Sequence, residues 1–486
     1  MNNNTSRLGT EGVFKLIAKM SLPAIFSMLV QALYNIVDSF FVGMISNTND
    51  EITALNYAFP LQMIFFAIAL GIGVGANSLI ARRLGEGKNQ EASNAAQTGI
   101  ILGACAFGIT LICSFFLPQI FMKFYDKCTK NIEELAISYL SINMAFSFGM
   151  FSETIFNKIL QSTGNMKVPM FSQLLGAITN IILDPIFIFK SGSIYTLPFG
   201  GEFKMPFGFG LGVQGAAIAT VIGQIAAGVL VVLIALLKKH SVSLNFKGFK
   251  FSWIMSKQIF NVGIAVTIVN SINSFSTIIL NLILEEVPVQ IDGKDIAVGV
   301  TILGSYYKLQ SFVFMPVFGL NQGVMPILGF NYGAKKAKRF NKTFLYSVII
   351  ALTILSLGLI MFQSIPKTLL TILSISGKEL EYGTLALKII SLSFLAAAVN
   401  LIVSSLFQAV GHGIKSMFLN LLRQAGILIP LALIIALTLK DVNYVWIAFP
   451  IAEWLCMISF IPIIILTISK LNRIMNRTQE IHEEAL

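Results

Sequence analysis

Apolar residues run through this chain in long blocks, not in narrow stripes. Stretches of about 20 residues with few charges recur from end to end, each long enough to cross a hydrocarbon core. They predict twelve spans, at 14–45, 55–81, 93–118, 136–160, 169–189, 210–237, 256–284, 297–329, 343–364, 384–408, 416–439 and 444–469. Spans 1 and 8 are long and contain Pro23 and Pro316, which predicts a kink or tilt in each. The pattern is that of an all-α polytopic membrane protein.

Composition agrees. Of 486 residues, 55% are hydrophobic and only 12% charged, and the mean hydropathy is +0.79. A soluble chain would carry about twice that charged share. The polar N-terminus, "MNNNTSRLGTEG", shows no cleavage-site pattern, so no removable signal peptide is expected. Cys105, Cys113, Cys128 and Cys456 form neither a metal-ligand spacing nor a disulfide framework.

The net charge of +11 could point to nucleic acid, but its placement points to topology. With the N-terminus inside, the inside segments hold 23 Lys and Arg and the outside loops hold 9; Lys308 and Lys388 fall within spans. This bias puts both termini in the cytoplasm. No nucleic-acid partner is expected.

The two halves resemble each other. "GIGVGANSLIARRLGEGK" starts at Gly71 and "GLNQGVMPILGFNYGAKK" at Gly319. At an offset of 248, Gly71, Gly75, Gly85 and Lys88 meet Gly319, Gly323, Gly333 and Lys336. At 247, Gln161, Gly164, Met170 and Leu174 meet Gln408, Gly411, Met417 and Leu421. Equivalent positions lie six spans apart, so the halves share one orientation, a parallel repeat with a cavity expected between them. This gives an N-lobe at 1–237, a cytoplasmic linker at 238–257 and a C-lobe at 258–486 with its tail. Two like six-helix bundles around a cavity is a transporter architecture. Gly71, Gly73 and Gly75 imitate part of a dinucleotide fingerprint, but no βαβ unit surrounds them; close helix packing is the expected role.

Charges inside spans need a reason, since each costs roughly 2.5–3.5 kcal/mol at a bilayer centre on insertion scales. The candidates are Asp38, Glu153, Asp184, Lys308, Lys388 and Glu453. Tyr34 and Asn35 precede Asp38 by four and three residues, and Asn180 precedes Asp184 by four, so each acid has polar company on its own helix face. Both acids belong in the outer half of the membrane. Pro185 frees a carbonyl in the preceding turn, and Thr220 in span 6 offers another oxygen. Such oxygens suit a proton on a desolvated carboxylate or a small hard cation; the alternative is an acid satisfied by hydrogen bonds in a helix interface. Lys388 can snorkel from its span end, and Glu453 reads as structural. Glu153 suits a local pairing with Lys158, and Lys308 faces either the cavity or a carboxylate partner.

"SLPAIFSMLVQALYNIVDSFFVG", "GIGVGANSLIARRLGEGK", "QSTGNMK" and "NIILDPIFIF…GLGVQGAAIATVIGQ" resemble the multidrug and toxic compound extrusion (MATE) family over essentially the whole chain. The resemblance is to its MepA-like bacterial branch, with kinship to the DinF branch. It implies a multi-pass protein of the bacterial inner (plasma) membrane, an antiporter exporting multiple drugs and other organic cations, hence a role in antibiotic resistance. It implies coupling to H+ or Na+ at Asp38, Asn180, Asp184 and Thr220 with Tyr34, no other cofactor, and bending of helix 1 at Pro23. Lys308, Glu153 and Asn35 are candidates for the substrate cavity, and a monomer in the lipid bilayer is expected. NorM-like members also carry acids in helices 7 and 10, which are absent here, so coupling rests on the N-lobe. A lipid-linked-precursor flippase of the same superfamily is the alternative. An enzyme is not expected: His240, His412 and His482 lie in loops or tails, with no nucleophile or metal constellation.

Overall fold

The structure is a computed structural model that describes residues 3–44, 50–125, 129–196, 202–238, 240–247, 249–291, 294–373 and 375–484. Within these, the side chains of 3–6, 34–36, 38–40, 42–43, 52, 195–196, 202–203, 291, 294–296 and 477–484 lie outside the described set. The first half runs through α1 (Asn3–Thr10), α2 (Val13–Gly43), α3 (Asp50–Gly85), α4 (Asn89–Cys113), α5 (Leu117–Met122), α6 (Lys130–Ala145), α7 (Phe148–Ser162), α8 (Lys167–Ile188) and α9 (Gly212–Leu237). The second half runs through α10 (Trp253–Glu285), α11 (Val298–Gly333), α12 (Ala337–Ser364), α13 (Pro366–Ile372), α14 (Gly377–Ser391), α15 (Phe394–Ala409) and α16 (Gly413–Leu421). A π-helical turn, Leu422–Leu428, leads into α17 (Ile429–Leu439), α18 (Val442–Val445) and α19 (Ala448–Glu484). Two antiparallel hairpins interrupt the helices: β1 (Ile194–Thr196) with β2 (Glu202–Lys204), and β3 (Val289–Ile291) with β4 (Lys294–Ile296).

Among the described residues, ten helices are long and apolar enough to cross a membrane, and two bent pairs, each taken as one span, bring the total to twelve. The bent pairs are α6–α7 and α14–α15, each turning by 49°. They are spans 4 and 10, equivalent members of the repeat. A serine marks each bend: Ser147 Oγ donates to Met144 O at 2.8 Å, and Ser393 Oγ to Ile390 O at 2.6 Å. The side chain thus takes a carbonyl that the broken helix leaves without its usual N–H. The helices continue through Pro23 and Pro316. Prolines inside spans are tolerated because neighbouring groups take up the freed carbonyls. Large apolar side chains such as Ile109, Ile112, Leu237, Leu357 and Leu466 stand outward and exposed. This suits lipid as the surrounding solvent.

The chain forms two compact units. One is Met1–Asn4, Phe26–Ile80 and Lys88–Thr267; the other is Thr5–Ile25, Ala81–Gly87 and Ile268–Leu486. These are limits of contact and differ from the repeat-based lobes, 1–237 and 258–486. Each unit takes in the N-terminal end of the other half's first span. In the first unit, a Cβ on Gly71 would meet Gly263 O at 2.5 Å, and one on Gly75 would meet the carbonyl of Ile259. In the second, a Cβ on Gly319 would meet Ile25 N at 2.6 Å, and one on Gly323 would meet Ser21 Cα at 2.8 Å. Gly263 and Ile259 stand 238 residues beyond Ile25 and Ser21, so the duplicated glycines make the same helix contact in both units. They are packing residues, as their small-residue pattern predicts.

Amide and cationic side chains fix segments of the second unit by donating to backbone carbonyls. Asn331 Nδ2 and Arg339 Nη2 donate to Leu8 O and Glu11 O, at 3.1 and 2.7 Å. Lys336 Nζ donates to Gly9 O at 2.8 Å, and Arg82 Nη1 to Val410 O at 2.9 Å. Between α15 and α16, burial lowers the pKa of His412, and Lys415, Arg82 and Lys470 lower it further. A histidine with a depressed folded pKa contributes no penalty above its unfolded pKa. Stability is then lost as pH falls through about 6.5 towards the folded value. Thermal unfolding of His412→Gln is therefore expected to lose less stability than wild type on acidification through this range.

In the first unit, the segment 238–257 is tied to α4. Ser243 N donates to Ser93 Oγ at 2.9 Å, and Gln97 Nε2 to Asn245 O at 2.6 Å.

Candidate ion site on spans 5 and 6

Helices α8 and α9 are clasped where one ends and the next begins. Phe209 N donates to Ile186 O and Leu211 N to Phe187 O, both at 2.9 Å, and Gly210 N donates to Phe189 O at 2.8 Å. The rings of Phe187 and Phe209 stack at 5.2 Å. Asn180 lies eight residues before the end of α8, and Thr220 eight residues after the start of α9. At 1.5 Å per residue, both stand about 12 Å from the clasp. The two antiparallel helices therefore bring them face to face, and Asn180 Nδ2 donates to Thr220 Oγ1 at 3.2 Å.

Glycines let the helices approach this closely. A Cβ on Gly223 would stand 2.7 Å from Gly176 O and 3.3 Å from Asn180 Cβ. Gly215, Ala219, Gly223 and Ala227 form a ridge of small residues at every fourth position of α9. Asp184 lies one turn beyond Asn180 and is fully buried; Asn180 and Thr220 are 2% and 5% exposed. Asn180 Oδ1 has no hydrogen-bond partner among the described residues. Pro185 has no N–H to give the carbonyl of Ile181, although α8 runs on through it to Ile188. The cluster is thus a carboxylate with amide and hydroxyl oxygens, a set suited to a hard cation or a proton.

Asn180 and Thr220 therefore come together, with Asp184 one turn further along the same face of α8. The side chains of Asp38, Tyr34 and Asn35 lie outside the described residues. Further along α2, Phe41 packs edge-on against Phe189 at 6.0 Å, in a cluster with Ile188, Met205 and Ala216. Glu153 does not pair with Lys158. It accepts from Asn157 Nδ2 at 3.4 Å, while Lys158 Nζ donates to Gln161 Oε1 at 3.0 Å. Residues five apart do not share a helix face, whereas those three or four apart do. Asn157 Oδ1 also accepts from Ser172 Oγ at 3.0 Å, extending this network to α8. Lys308 is exposed on α11, and Lys388 is exposed in the last turn of α14.

One charge pair is not evident from the sequence pattern. Arg423, one of the cations that the positive-inside count assigns to the cytoplasmic side, is buried in span 11. Its Nη1 lies 2.7 Å from Oε1 of Glu453 on α19. Two lone opposite charges in consecutive spans were the available signal.

Twelve spans, a duplicated bent span and a buried oxygen cluster define a polytopic transporter. A family model for MatE matches residues 23–186 and 266–434, one stretch in each half. The chain belongs to the MatE family, whose members are transporters and not enzymes. It is 26% identical over 464 residues to the multidrug export protein MepA of Staphylococcus aureus (strain N315), covering 93% of this chain and 94% of that protein. The MepA of Staphylococcus haemolyticus (strain JCSC1435) is 23% identical over 451 residues, covering 91% of each. A solved structure of a multidrug resistance MATE family transporter in an outward-facing conformation superposes with a TM-score of 0.87 at 24% identity, covering 97% of this chain and 99% of that one. The chain is a multi-pass protein of the bacterial plasma membrane.

Proposed function

We propose that the chain is a secondary antiporter that exports organic cations in exchange for H+ or Na+, by alternating access of its two halves. The observation that carries this reading is the buried oxygen cluster of Asp184, Asn180 and Thr220. Its relatives are named multidrug export proteins, which supports drugs as the cargo; that the cargo is cationic follows from the family resemblance. Asp38 completes the coupling site in this reading; Phe41, three residues on, packs beside the α8–α9 clasp. Tyr34 and Pro23 set the bending of span 1. Asn35, Glu153 and Lys308 belong to the substrate cavity, and the protein works as a monomer with both termini in the cytoplasm. A cation taken up from outside neutralises buried negative charge, favours closure of that side and displaces the drug. The ion must bind the two states unequally, because equal affinity shifts nothing.

The test is ethidium transport in proteoliposomes, with proton and sodium gradients imposed separately, for wild type and Asp38→Asn. Flux under one gradient, lost in the variant, is expected. Absence of flux under both gradients in folded wild-type protein would refute the antiport reading and favour a lipid-linked-precursor flippase.

A further inference from the structure

The repeat can be followed into spans 11 and 12. At the offset of 247, Gly176, Asn180 and Asp184 correspond to Arg423, Ile427 and Leu431. The offset falls to 233 for the last span of each half, where Ile218, Ala219 and Thr220 meet Ile451, Ala452 and Glu453. The difference lies in the connections. Spans 5 and 6 are joined through the β1–β2 hairpin, whereas spans 11 and 12 are joined by a short turn and the one-turn α18. Cys456, the counterpart of Gly223, sits against span 11, with Sγ 3.4 Å from Leu419 O. The two helix pairs are therefore equivalent, but their chemistry differs.

In spans 5 and 6 the acid is on the first helix, one turn from an amide that donates to a hydroxyl. In spans 11 and 12 the acid, Glu453, is on the second helix, and the first supplies a guanidinium. Arg423 Nη1 bonds Glu453 Oε1 at 2.7 Å, and Asn400 Nδ2 of span 10 donates to Oε2 at 2.8 Å. Arg423 Nη2 donates to Asn420 Oδ1 at 3.2 Å. Both carboxylate oxygens are thus occupied by donors. Arg423 stands one turn before the counterpart of Asn180, and its guanidinium lies against Glu453, the counterpart of Thr220. It leaves the backbone in the π-helical segment Leu422–Leu428, a widened turn of the kind that recurs at functional sites.

We propose that Arg423 is a resident cation. It occupies, as part of the chain, the C-terminal counterpart of the ion site on spans 5 and 6, and this half therefore needs no ion from solution. The inference rests on the coupling reading above, since it assigns all ion dependence to the first half. It also gives Glu453 a role beyond packing: its charge is permanently answered, so it does not compete with Asp184 for the coupling ion.

The test is thermal unfolding of the purified full-length protein in detergent, in millimolar guanidinium chloride or an equal concentration of choline chloride. Arg423→Ala leaves Glu453 without its cation beside a vacated space. Its Tm is expected to rise by several degrees with guanidinium relative to choline, as binding to the folded state alone requires. The Arg423→Ala/Glu453→Gln double variant is expected to show no such rise. Absence of a rise in Arg423→Ala, or an equal rise in the double variant, would overturn the proposal. Should Arg423→Ala not fold, Arg423→Met/Glu453→Gln serves in proteoliposomes. It is expected to keep the wild-type ion dependence of ethidium transport, and a changed ion dependence would overturn the proposal. The Tm response depends on Glu453 and not on Asp184. It therefore stands or falls separately from the coupling reading, which Asp184→Asn tests.

Discussion

Asp184→Asn is expected to reduce gradient-driven efflux to the level of protein-free liposomes while leaving the thermal stability of the protein close to wild type. The substitution keeps the shape of a side chain that is wholly buried but removes the charge. A cation then gains nothing by entering the site, so its affinity for the outward and inward states converges and the gradient can no longer bias their populations. The driving force itself is unchanged: a membrane potential still supplies about 2.3 kcal/mol per charge per 100 mV. Binding of ethidium in detergent is therefore expected to persist. Thr220→Val should act more gently. It removes one neutral oxygen and the acceptor of the Asn180 hydrogen bond. The expected result is a raised ion concentration for half-maximal efflux, with transport retained at saturation. Undiminished gradient-driven efflux in Asp184→Asn would sink the coupling role of this residue.

The same residues show what a sequence can carry. Asp184 and Asn180 were legible because they lie four apart on one helix, where spacing alone fixes a shared face. Thr220 entered through its span and the family resemblance. The spans and the repeat were legible because a bilayer imposes a length on apolar runs and a duplication leaves a constant offset. Arg423 and Glu453 lie on different helices, and periodicity within one helix says nothing about what faces it from another. The Glu153–Lys158 pairing failed for a local reason: five residues is the wrong step, and Asn157 and Gln161 lie closer to the right ones. The bends of spans 4 and 10 carried no proline to announce them. The prolines that invited a bend, Pro23 and Pro316, sit in helices that continue. A proline removes one donor and crowds the carbonyl four residues before it, and whether the helix then breaks depends on packing around that carbonyl, which no local pattern records.

Gly223→Ala is expected to weaken both the fold and the ion site, and Gly176→Ala to do so much less. The two glycines face each other across α8 and α9, but a methyl group meets different neighbours at each. At Gly223 it would stand 2.7 Å from Gly176 O, a backbone atom that cannot turn aside, and 3.3 Å from Asn180 Cβ. At Gly176 it would meet the Ala227 methyl and Gly223 O, both at 3.2 Å, distances a shift of a few tenths of an ångström relieves. Overpacking of a well-fitted contact costs about 1–3 kcal/mol, and Gly223→Ala belongs in that range by thermal unfolding. The accommodation has a direction. Relieving the clash moves α9 away from α8 at the level of Asn180, one turn from Thr220, and lengthens the 3.2 Å bond between them. Ion-dependent efflux should therefore fall together with stability in Gly223→Ala. A variant as destabilised by overpacking far from the site, such as Gly358→Ala against Val313 in the second unit, should keep its ion dependence. If Gly223→Ala lost stability and kept the wild-type ion dependence, the small-residue ridge of α9 would serve packing alone, and the oxygens of Asn180 and Thr220 would not need their present separation to hold the ion.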